Sequence, residues 1–144
     1  MSHTAVYTVN VEFGDCDPAG IVWFPNFFRW LDAASRHYFI TCGVPRWETT
    51  RDSLGIIGTP LVNTQTRFVQ SATYGDTLAI HVSVREWRRK SFVQTYEVRR
   101  GEALILACEE VRVFAAQRED GPGIRALPVP SEIRALCENF EALA

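Results

Sequence analysis

The chain has 144 residues and a formal net charge of −2, and 47% of its residues are hydrophobic. That length predicts one domain over 1–144, and the apolar content is typical of a folded core rather than of a disordered segment. The charge gives no field that favours nucleic acid or an anionic membrane, and no apolar run is long enough to predict a transmembrane helix.

The four cysteines are scattered along the chain and form no C-x-x-C pair. The three histidines are scattered as well, so no metal site is expected. We expect Cys42, Cys108 and Cys137 to be buried small apolar residues. Because the N-terminal residues also lack the pattern of a secretory signal, the sequence predicts a protein of the reducing cytoplasm.

The first elements are a strand, a short loop and a long helix. Residues 7–13 alternate apolar and polar side chains, the period of a half-buried strand. Residues 24–42 then carry apolar side chains at helical spacing, with Pro25 suited to the first turn and Gly43 to the stop. So much apolar surface predicts a helix that is covered on most sides.

Strands dominate the rest of the chain. Residues 44–55 are a mixed connection, and strands are predicted at 62–68, 78–85, 92–98, 104–115 and 124–127. Ser131 is expected to cap a final helix that runs to roughly Leu143. One long helix among successive antiparallel strands predicts an α+β fold.

The loop between the first strand and the long helix contains two carboxylates, Asp15 and Asp17, and a thiol, Cys16. Exposed N–H groups at a helix start can bind an oxygen that becomes negative during a reaction. A carboxylate beside them is a candidate catalytic group. The alternative is that Asp17 only caps the loop or the helix start.

Two longer stretches resemble a known family. Residues 14–22 read GDCDPAGIV and are followed by PN at 25–26 and RWLDAASR at 29–36; residues 86–94 read EWRRKSFVQ. These stretches resemble the 4-hydroxybenzoyl-CoA thioesterases of the hot-dog fold, and the likeness runs through most of the chain, weakening after Arg99. The shorter pattern Asp-x-Asp-x-x-Gly-x-Val is shared by many acyl-CoA thioesterases.

The resemblance implies a hot-dog fold, in which a curled antiparallel sheet of five or six strands wraps around one long central helix. It also implies a homo-oligomer, a dimer or a tetramer built as a dimer of dimers, with the sites at the subunit interface. No cofactor is implied, and the expected partner is an acyl-CoA substrate.

The resemblance assigns catalysis to Asp17 and to the backbone N–H of Phe24. Asp17 would attack the thioester directly, or would activate water as a general base; the sequence leaves both routes open. Phe24 stands where the family usually has tyrosine, but it still supplies the N–H group that would polarise the carbonyl. Cys16 is a weak rival nucleophile, because no histidine lies near it in the sequence.

Other positions are expected to bind the substrate. Asp32 could hold the phenol hydroxyl of an acyl group, or could form a salt bridge with Arg29 or Arg36. Trp47 and Thr59 are candidates for lining the acyl pocket, although Trp47 could also be a simple core residue.

The tight basic cluster follows the third predicted strand. The resemblance implies that it meets the phosphates of coenzyme A, which guanidinium groups can bind through paired hydrogen bonds. The alternative is a solvated hairpin. The cluster consists of Arg88, Arg89 and Lys90, with Ser91 beside them.

The sequence therefore predicts a thioester hydrolase that acts on 4-hydroxybenzoyl-CoA or a related aromatic acyl-CoA. One alternative is a short-chain acyl-CoA thioesterase of the Tol–Pal-associated type, which shares the shorter pattern. Another is an acyl-CoA-binding module without catalysis, although a pure binder gains little from a carboxylate at the thioester.

Overall fold

A computed structural model describes residues 3–139. Within these residues it contains seven strands, three α-helices and one short 3₁₀ helix. In chain order they are β1 (Thr4–Asn10), a single 3₁₀ turn (Phe13–Asp15), α1 (Pro25–Thr41), α2 (Trp47–Ser53), β2 (Leu61–Phe68), β3 (Thr77–Trp87), β4 (Phe92–Arg100), β5 (Ala103–Arg112), β6 (Phe114–Gln117), β7 (Ile124–Leu127) and α3 (Ser131–Glu138).

The main sheet has five strands in the order β1-β3-β4-β5-β2, and its neighbouring strands are antiparallel. β6 and β7 form a separate two-stranded sheet. The long helix α1 packs on one face of the main sheet, against β1 and β3. This confirms the predicted α+β class and the antiparallel sheet around one long helix.

Helix α1 forms where the apolar spacing predicts it. Pro25 occupies its first turn, where the missing N–H costs nothing. Gly43 follows the helix with a φ of 90°, a left-handed conformation that ends a helix readily when the residue is glycine. The buried face consists of Phe27, Trp30, Leu31, Ala34, Ser35, Tyr38 and Phe39.

An aromatic cluster joins α1 to the sheet and to α2. The ring of Phe39 lies 5.5 Å from Phe92 and 5.7 Å from Trp47, and the rings of Phe92 and Phe114 lie 4.9 Å apart. Rings at such distances attract one another beyond the gain from burial alone. The cluster therefore fixes α2, which carries Trp47, against the core.

β2 is an edge strand with little cover. Seven of its eight residues are exposed, including Leu61, Val62 and Phe68. An exposed apolar edge presents free backbone donors and acceptors to another strand. The apolar–polar alternation of this strand predicts one buried and one solvated face. Within one chain, both faces of β2 are largely exposed.

The structure corrects four details of the predicted elements. The first strand runs over Thr4–Asn10 rather than 7–13, since the chain leaves the sheet after Asn10 and Phe13 begins the 3₁₀ turn. The connection 44–55 contains α2, which the mixed composition concealed. The run 104–115 is broken at Val113, where the chain passes from β5 to β6. Ser131 is the first residue of α3 and makes no capping hydrogen bond, since Pro130 holds the cap position. The predicted end near Leu143 lies outside the described residues.

Two further points concern burial and length. Cys42, Cys108 and Cys137 are buried, as predicted, and Cys16 is half-buried. Within residues 3–139, none of the helices combines the length and the apolar character that crossing a membrane would require.

Candidate active site

Asp17 lies on a tight loop that is pinned at both ends. Its backbone N–H donates to the carbonyl of Ile21 over 2.8 Å, and its own carbonyl accepts from the N–H of Gly20 over 2.9 Å. The side-chain Oδ1 accepts from the N–H of Ala19 over 2.9 Å. Asp17 therefore caps the loop, as the structural alternative predicts. The cap uses only one of its two carboxylate oxygens, and the side chain is half-buried.

Asp15 anchors the loop to the helix start. Its Oδ2 accepts from the N–H of Glu12 over 2.8 Å, and its carbonyl accepts from the side chain of Asn26 over 2.8 Å. Its Oδ1 also forms a 3.4 Å ion pair with Arg29. The N–H of Trp23 donates to the same carbonyl. Asp15 is thus a structural residue that ties the loop to the start of α1.

Phe24 precedes α1 and has a free backbone donor. The N–H groups of Trp23 and Asn26, on either side, are used within the loop. No residue in the described part of the chain accepts a hydrogen bond from the N–H of Phe24. Because Pro25 has no N–H, this is the first donor available at the positive end of the α1 dipole.

Cys16 has no partner that would activate it. Its Sγ lies 3.9 Å from the carbonyl of Glu12, a long contact with a weak acceptor. None of the histidine contacts among the described residues involves Cys16. A thiol without a neighbouring base is a poor nucleophile at neutral pH.

Asp32, Trp47 and Thr59 line one pocket, although they come from three separate segments. The pocket has a volume of about 530 Å³, and Phe28 and Arg112 also contribute to its wall. Asp32 lies eight residues beyond Phe24, about 12 Å along the axis of α1. The predicted acyl-binding residues are therefore brought together, and Trp47 combines that position with its contacts to the aromatic core.

The predicted salt-bridge partners of Asp32 are wrong. Arg29 pairs with Asp15, and Arg36 stacks over the Trp47 ring at 5.3 Å. Asp32 instead accepts from Arg112 Nη1 over 3.0 Å, while its own side chain stays 73% exposed. Arg29 and Arg36, the arginines near Asp32 on α1, thus interact with other residues. The buried guanidinium group of Arg112, from β5, pairs with Asp32 instead.

A buried polar network lies behind the pocket, and sequence reasoning missed it. Arg112 Nε donates to Glu110 Oε1 over 2.9 Å, and the Tyr96 hydroxyl donates to the same oxygen over 2.5 Å. Gln94 Oε1 accepts from the Ser35 hydroxyl over 2.6 Å and lies 3.0 Å from the Tyr96 hydroxyl oxygen. A signal was present: Glu110 and Arg112 continue the inward phase of Leu106 and Cys108, where only apolar residues would be expected.

Burial and neighbouring charges shift the pKa values of Arg112 and Tyr96 in this network. Burial alone lowers the pKa of Arg112, but Tyr96, Glu110 and Asp32 raise it above its ordinary value. Burial and the Glu110 carboxylate raise the pKa of Tyr96 well above its ordinary value. Tyr96 is therefore a neutral donor near pH 7, and the carboxylates of Glu110 and Asp32 stabilise the charge on Arg112.

The basic cluster lies far from the Asp17 loop within one chain. Arg88 donates its N–H to Ser91 to close the β3–β4 turn, and pairs with Glu86 at 3.2 Å. Arg88, Arg89 and Lys90 are exposed. β1 ends opposite Thr77, so the loop after β1 lies at one end of β3 and the cluster at the other. Eleven residues of strand separate the two ends, about 30 Å.

A second, larger groove does not contain the predicted site residues. It has a volume of about 880 Å³ and lies on the face of the sheet opposite α1. Its wall consists largely of polar side chains, among them His81, Thr95, Glu97 and Arg99.

Comparisons with known proteins identify the family of the chain. A family model described as the thioesterase-like superfamily matches residues 11–136. The 4-hydroxybenzoyl-CoA thioesterase of Pseudomonas sp. (strain CBS-3) is 50% identical over 142 residues, 95% of this chain and 99% of that protein. The 1,4-dihydroxy-2-naphthoyl-CoA hydrolase of Prochlorococcus marinus subsp. pastoris is 30% identical over 68% of this chain and 71% of that protein.

Solved structures give the same result. A 4-hydroxybenzoyl CoA thioesterase mutant, with asparagine in place of an aspartate and complexed with 4-hydroxybenzoyl CoA, is 48% identical with a TM-score of 0.87, covering 93% of this chain and 98% of that one. A gentisyl-coenzyme A thioesterase is 32% identical with a TM-score of 0.78, covering 90% and 99%. The chain belongs to the thioesterase-like superfamily, in the 4-hydroxybenzoyl-CoA thioesterase family of hot-dog proteins.

Proposed function

We propose that this protein hydrolyses the coenzyme A thioester of 4-hydroxybenzoate or a closely related aromatic acid, releasing the acid and free coenzyme A. The observation that carries the proposal is the Asp17 loop, a rigid carboxylate-bearing turn that leads into a helix start with an unused N–H at Phe24. The identity of 50% to a 4-hydroxybenzoyl-CoA thioesterase over nearly the whole chain supports it.

The N–H of Phe24 would stabilise the oxygen of the thioester carbonyl. As the tetrahedral intermediate forms, that oxygen becomes negative and gains most from a donor that already points at it. The positive end of the α1 dipole adds to the effect. Because the group is a backbone N–H, phenylalanine serves as well as tyrosine at this position.

Asp17 would act on the carbonyl carbon in one of two ways. As a nucleophile, its carboxylate adds to that carbon, the C–S bond breaks, and the thiolate of coenzyme A leaves; water then cleaves the mixed anhydride and restores Asp17. As a general base, Asp17 removes a proton from the water that attacks. The solved relative with bound 4-hydroxybenzoyl CoA is an aspartate-to-asparagine mutant, which is consistent with either route.

The pocket beside α1 would take the aromatic acyl group. Trp47 and Phe28 supply apolar walls, and Asp32 supplies a polar end that could accept a hydrogen bond from a phenol. Thr59 lines the same end. The basic cluster 88–91 would bind the phosphates of coenzyme A, since Arg89 and Lys90 have no side-chain partner among residues 3–139.

A homo-oligomer would complete the site. One chain separates the Asp17 loop from the basic cluster by about the length of β3, so a second copy is needed to bring such groups to one substrate. The exposed apolar edge of β2 supports self-association. The four free thiols fit the reducing cytoplasm that we propose as its location.

Replacing Asp17 tests the proposal. Asp17→Asn retains an oxygen that can accept from Ala19, so the loop should keep its shape, but an amide is a poor nucleophile and a poor base. We expect release of free thiol from 4-hydroxybenzoyl-CoA to fall by far more than tenfold, with binding retained. The control Cys16→Ser should keep most of the activity.

Retention of more than about a tenth of kcat by Asp17→Asn, a barrier change below about 1.4 kcal/mol, would exclude Asp17 as the catalytic group. Absence of thiol release by the unmodified protein would instead favour the binding module. A better rate with short aliphatic thioesters would favour the short-chain enzyme.

A further inference from the structure

Arg112 places a buried positive charge in the wall of the acyl pocket. Its side chain is only 5% exposed, and the accessible part faces the pocket that Asp32 and Thr59 also line. Glu110, which is 2% exposed, balances the charge from behind. A buried charge needs such partners, and here they also fix the orientation of the guanidinium group.

The donors of Arg112 are not all used. Nε donates to Glu110 Oε1 over 2.9 Å, and Nη1 donates to both Asp32 Oδ1 and the carbonyl of Thr59, over 3.0 and 2.9 Å. The third nitrogen, Nη2, has no acceptor in the described part of the chain. A guanidinium group has five N–H donors, so two remain available.

Asp32 has a complementary free acceptor. Its Oδ1 is used by Arg112, while Oδ2 has no hydrogen-bond donor among residues 3–139. Since a single N–H···O contact joins the two side chains, the unused oxygen of one and the unused nitrogen of the other lie beside the same contact. The pocket end thus offers one acceptor and one donor to a single ligand group.

We propose that Arg112 is a specificity residue that touches the substrate: its Nη2 donates a hydrogen bond to the para oxygen of the acyl group, while the hydrogen of that hydroxyl goes to Asp32 Oδ2. This inference rests on the proposed function and deepens it. The preferred acyl group is then one whose para substituent both donates and accepts, which is a hydroxyl group.

The proposal separates substituents that Asp32 alone would not. An amino group donates to a carboxylate but is a poor acceptor, because its lone pair is delocalised into the ring. A methoxy group accepts but cannot donate, and hydrogen does neither. If only Asp32 made contact, the hydroxyl and amino ligands would differ only in donor strength, a difference that Arg112→Lys would not remove, and the methoxy ligand would gain nothing over hydrogen.

The test measures the dissociation constants of para-substituted benzyl thioethers of coenzyme A. A methylene group replaces the carbonyl in these ligands, so they cannot be hydrolysed and the substituent cannot alter a reaction rate. The unmodified protein should bind the hydroxyl ligand about ten- to a hundredfold more tightly than the amino ligand, the range for a hydrogen bond from a charged donor. Equal dissociation constants for the hydroxyl and amino ligands would overturn the proposal. This comparison needs only the unmodified protein.

Arg112→Lys provides the second measurement. Lysine keeps the positive charge beside Glu110 but lacks the second nitrogen of the fork. The preference for hydroxyl over amino should fall to about two- to threefold or less, whereas a purely structural role would weaken every ligand by the same factor. Arg36→Lys is the matched control, an arginine of the same pocket wall that stacks on Trp47, and it should leave the ratio unchanged.

Failure of this inference can be told from failure of the proposed function. If the unmodified protein releases no thiol from 4-hydroxybenzoyl-CoA, the proposed function is wrong, whatever the thioethers show. If the unmodified protein releases thiol, two results would show that only the role of Arg112 is wrong. One is equal affinity for the hydroxyl and amino thioethers, and the other is a preference for the hydroxyl thioether that is unchanged in Arg112→Lys.

Discussion

Asp32 and Arg112 lie 80 positions apart in the sequence and yet form an ion pair in the wall of the pocket that Trp47 and Thr59 also line. Helical spacing made Arg29 and Arg36 the natural partners of Asp32. Both are engaged with other groups, Arg29 with Asp15 and Arg36 with Trp47. At the scale of single residues, the polar end of the pocket is therefore set by a side chain of β5.

Tyr96 links the two halves of the buried network behind that pair. Its single hydroxyl hydrogen goes to Glu110 Oε1 at 2.5 Å, its oxygen lies 3.0 Å from Gln94 Oε1, and only 2% of the residue is exposed. Ser35 of α1 donates to the same Gln94 oxygen. The network thus connects the helix to β4 and β5 and holds the Glu110 carboxylate in place.

Removing the Tyr96 hydroxyl should destabilise the fold. In Tyr96→Phe the buried Glu110 carboxylate loses a donor, and we expect the free energy of unfolding to fall by about 1–3 kcal/mol. Urea unfolding measures the change. Tyr7→Phe is the control, because the Tyr7 hydroxyl makes no hydrogen bond within residues 3–139. Equal stability of the two variants would mean that the network contributes little.

At the scale of elements, the Asp17 loop is held by the turn before β3. The Thr73 hydroxyl donates to the carbonyl of Gly20 over 2.6 Å, and Thr73 also pairs with Ile21 in a short β-bridge. Asp76 Oδ2 in turn accepts from the N–H of Thr73 and from Arg100, both over 2.9 Å. The catalytic candidate is therefore positioned by a contact between two loops.

Asp76 should make this support dependent on pH. The N–H of Thr73 first, and then Arg100, lower the pKa of Asp76 below its ordinary value of 3.8. A lowered folded-state pKa stabilises the fold fully above pH 3.8, and the gain is lost as the pH falls through the folded value. Asp76→Asn should cost about 0.5–1 kcal/mol at pH 7, and the difference should vanish well below pH 3.8.

Unfolding curves of Asp76→Asn between pH 7 and pH 3 test this expectation. Asp120→Asn is the control, since Asp120 pairs with Arg118 in the exposed turn between β6 and β7, remote from the Asp17 loop. A penalty for Asp76→Asn that stays constant down to pH 3 would show that the charge of Asp76 does not stabilise the turn.

At the scale of the whole molecule, the predicted site residues lie at two distant places within one chain. The Asp17 loop follows β1 at one end of the sheet, and the basic cluster lies at the opposite end of β3. The pocket that Asp32 and Thr59 line lies beside α1, which contributes Phe28, Asp32 and Arg36 to its wall. The site shared between two copies, proposed above, would let groups that are distant in one chain act on one substrate.

Mixed oligomers test the shared site. Asp17→Asn lacks the carboxylate, and the double variant Arg89→Ala/Lys90→Ala should bind coenzyme A thioesters weakly. If each site takes Asp17 from one chain and the cluster from another, a hybrid dimer contains one intact site. Random mixing should then restore about a quarter of the unmodified activity at low substrate concentration.

The two variants would be co-expressed with different affinity tags, and light scattering would confirm that they associate. Each variant assayed alone, and the two mixed without subunit exchange, serve as controls. If co-expressed hybrids stay as inactive as the separate variants, Asp17 and the cluster act within the same chain.

The sequence by itself determined the local features of this protein. The spacing of apolar residues placed α1 and the strands, and the loop with Asp15 and Asp17 stood out as a turn before a helix start. These features depend on neighbours within a few positions, so they can be read along the chain. The family likeness added the expected fold and the candidate roles of the site residues.

Only the tertiary structure decided which distant residues meet. The order β1-β3-β4-β5-β2 and the inward phase of β5 bring Arg112 to Asp32, and the direction of β3 carries the basic cluster away from Asp17. Such contacts depend on strand order and register, which local propensity does not specify. The partner of Asp32 was therefore wrong in the sequence prediction, whereas the loop that contains Asp17 was predicted correctly.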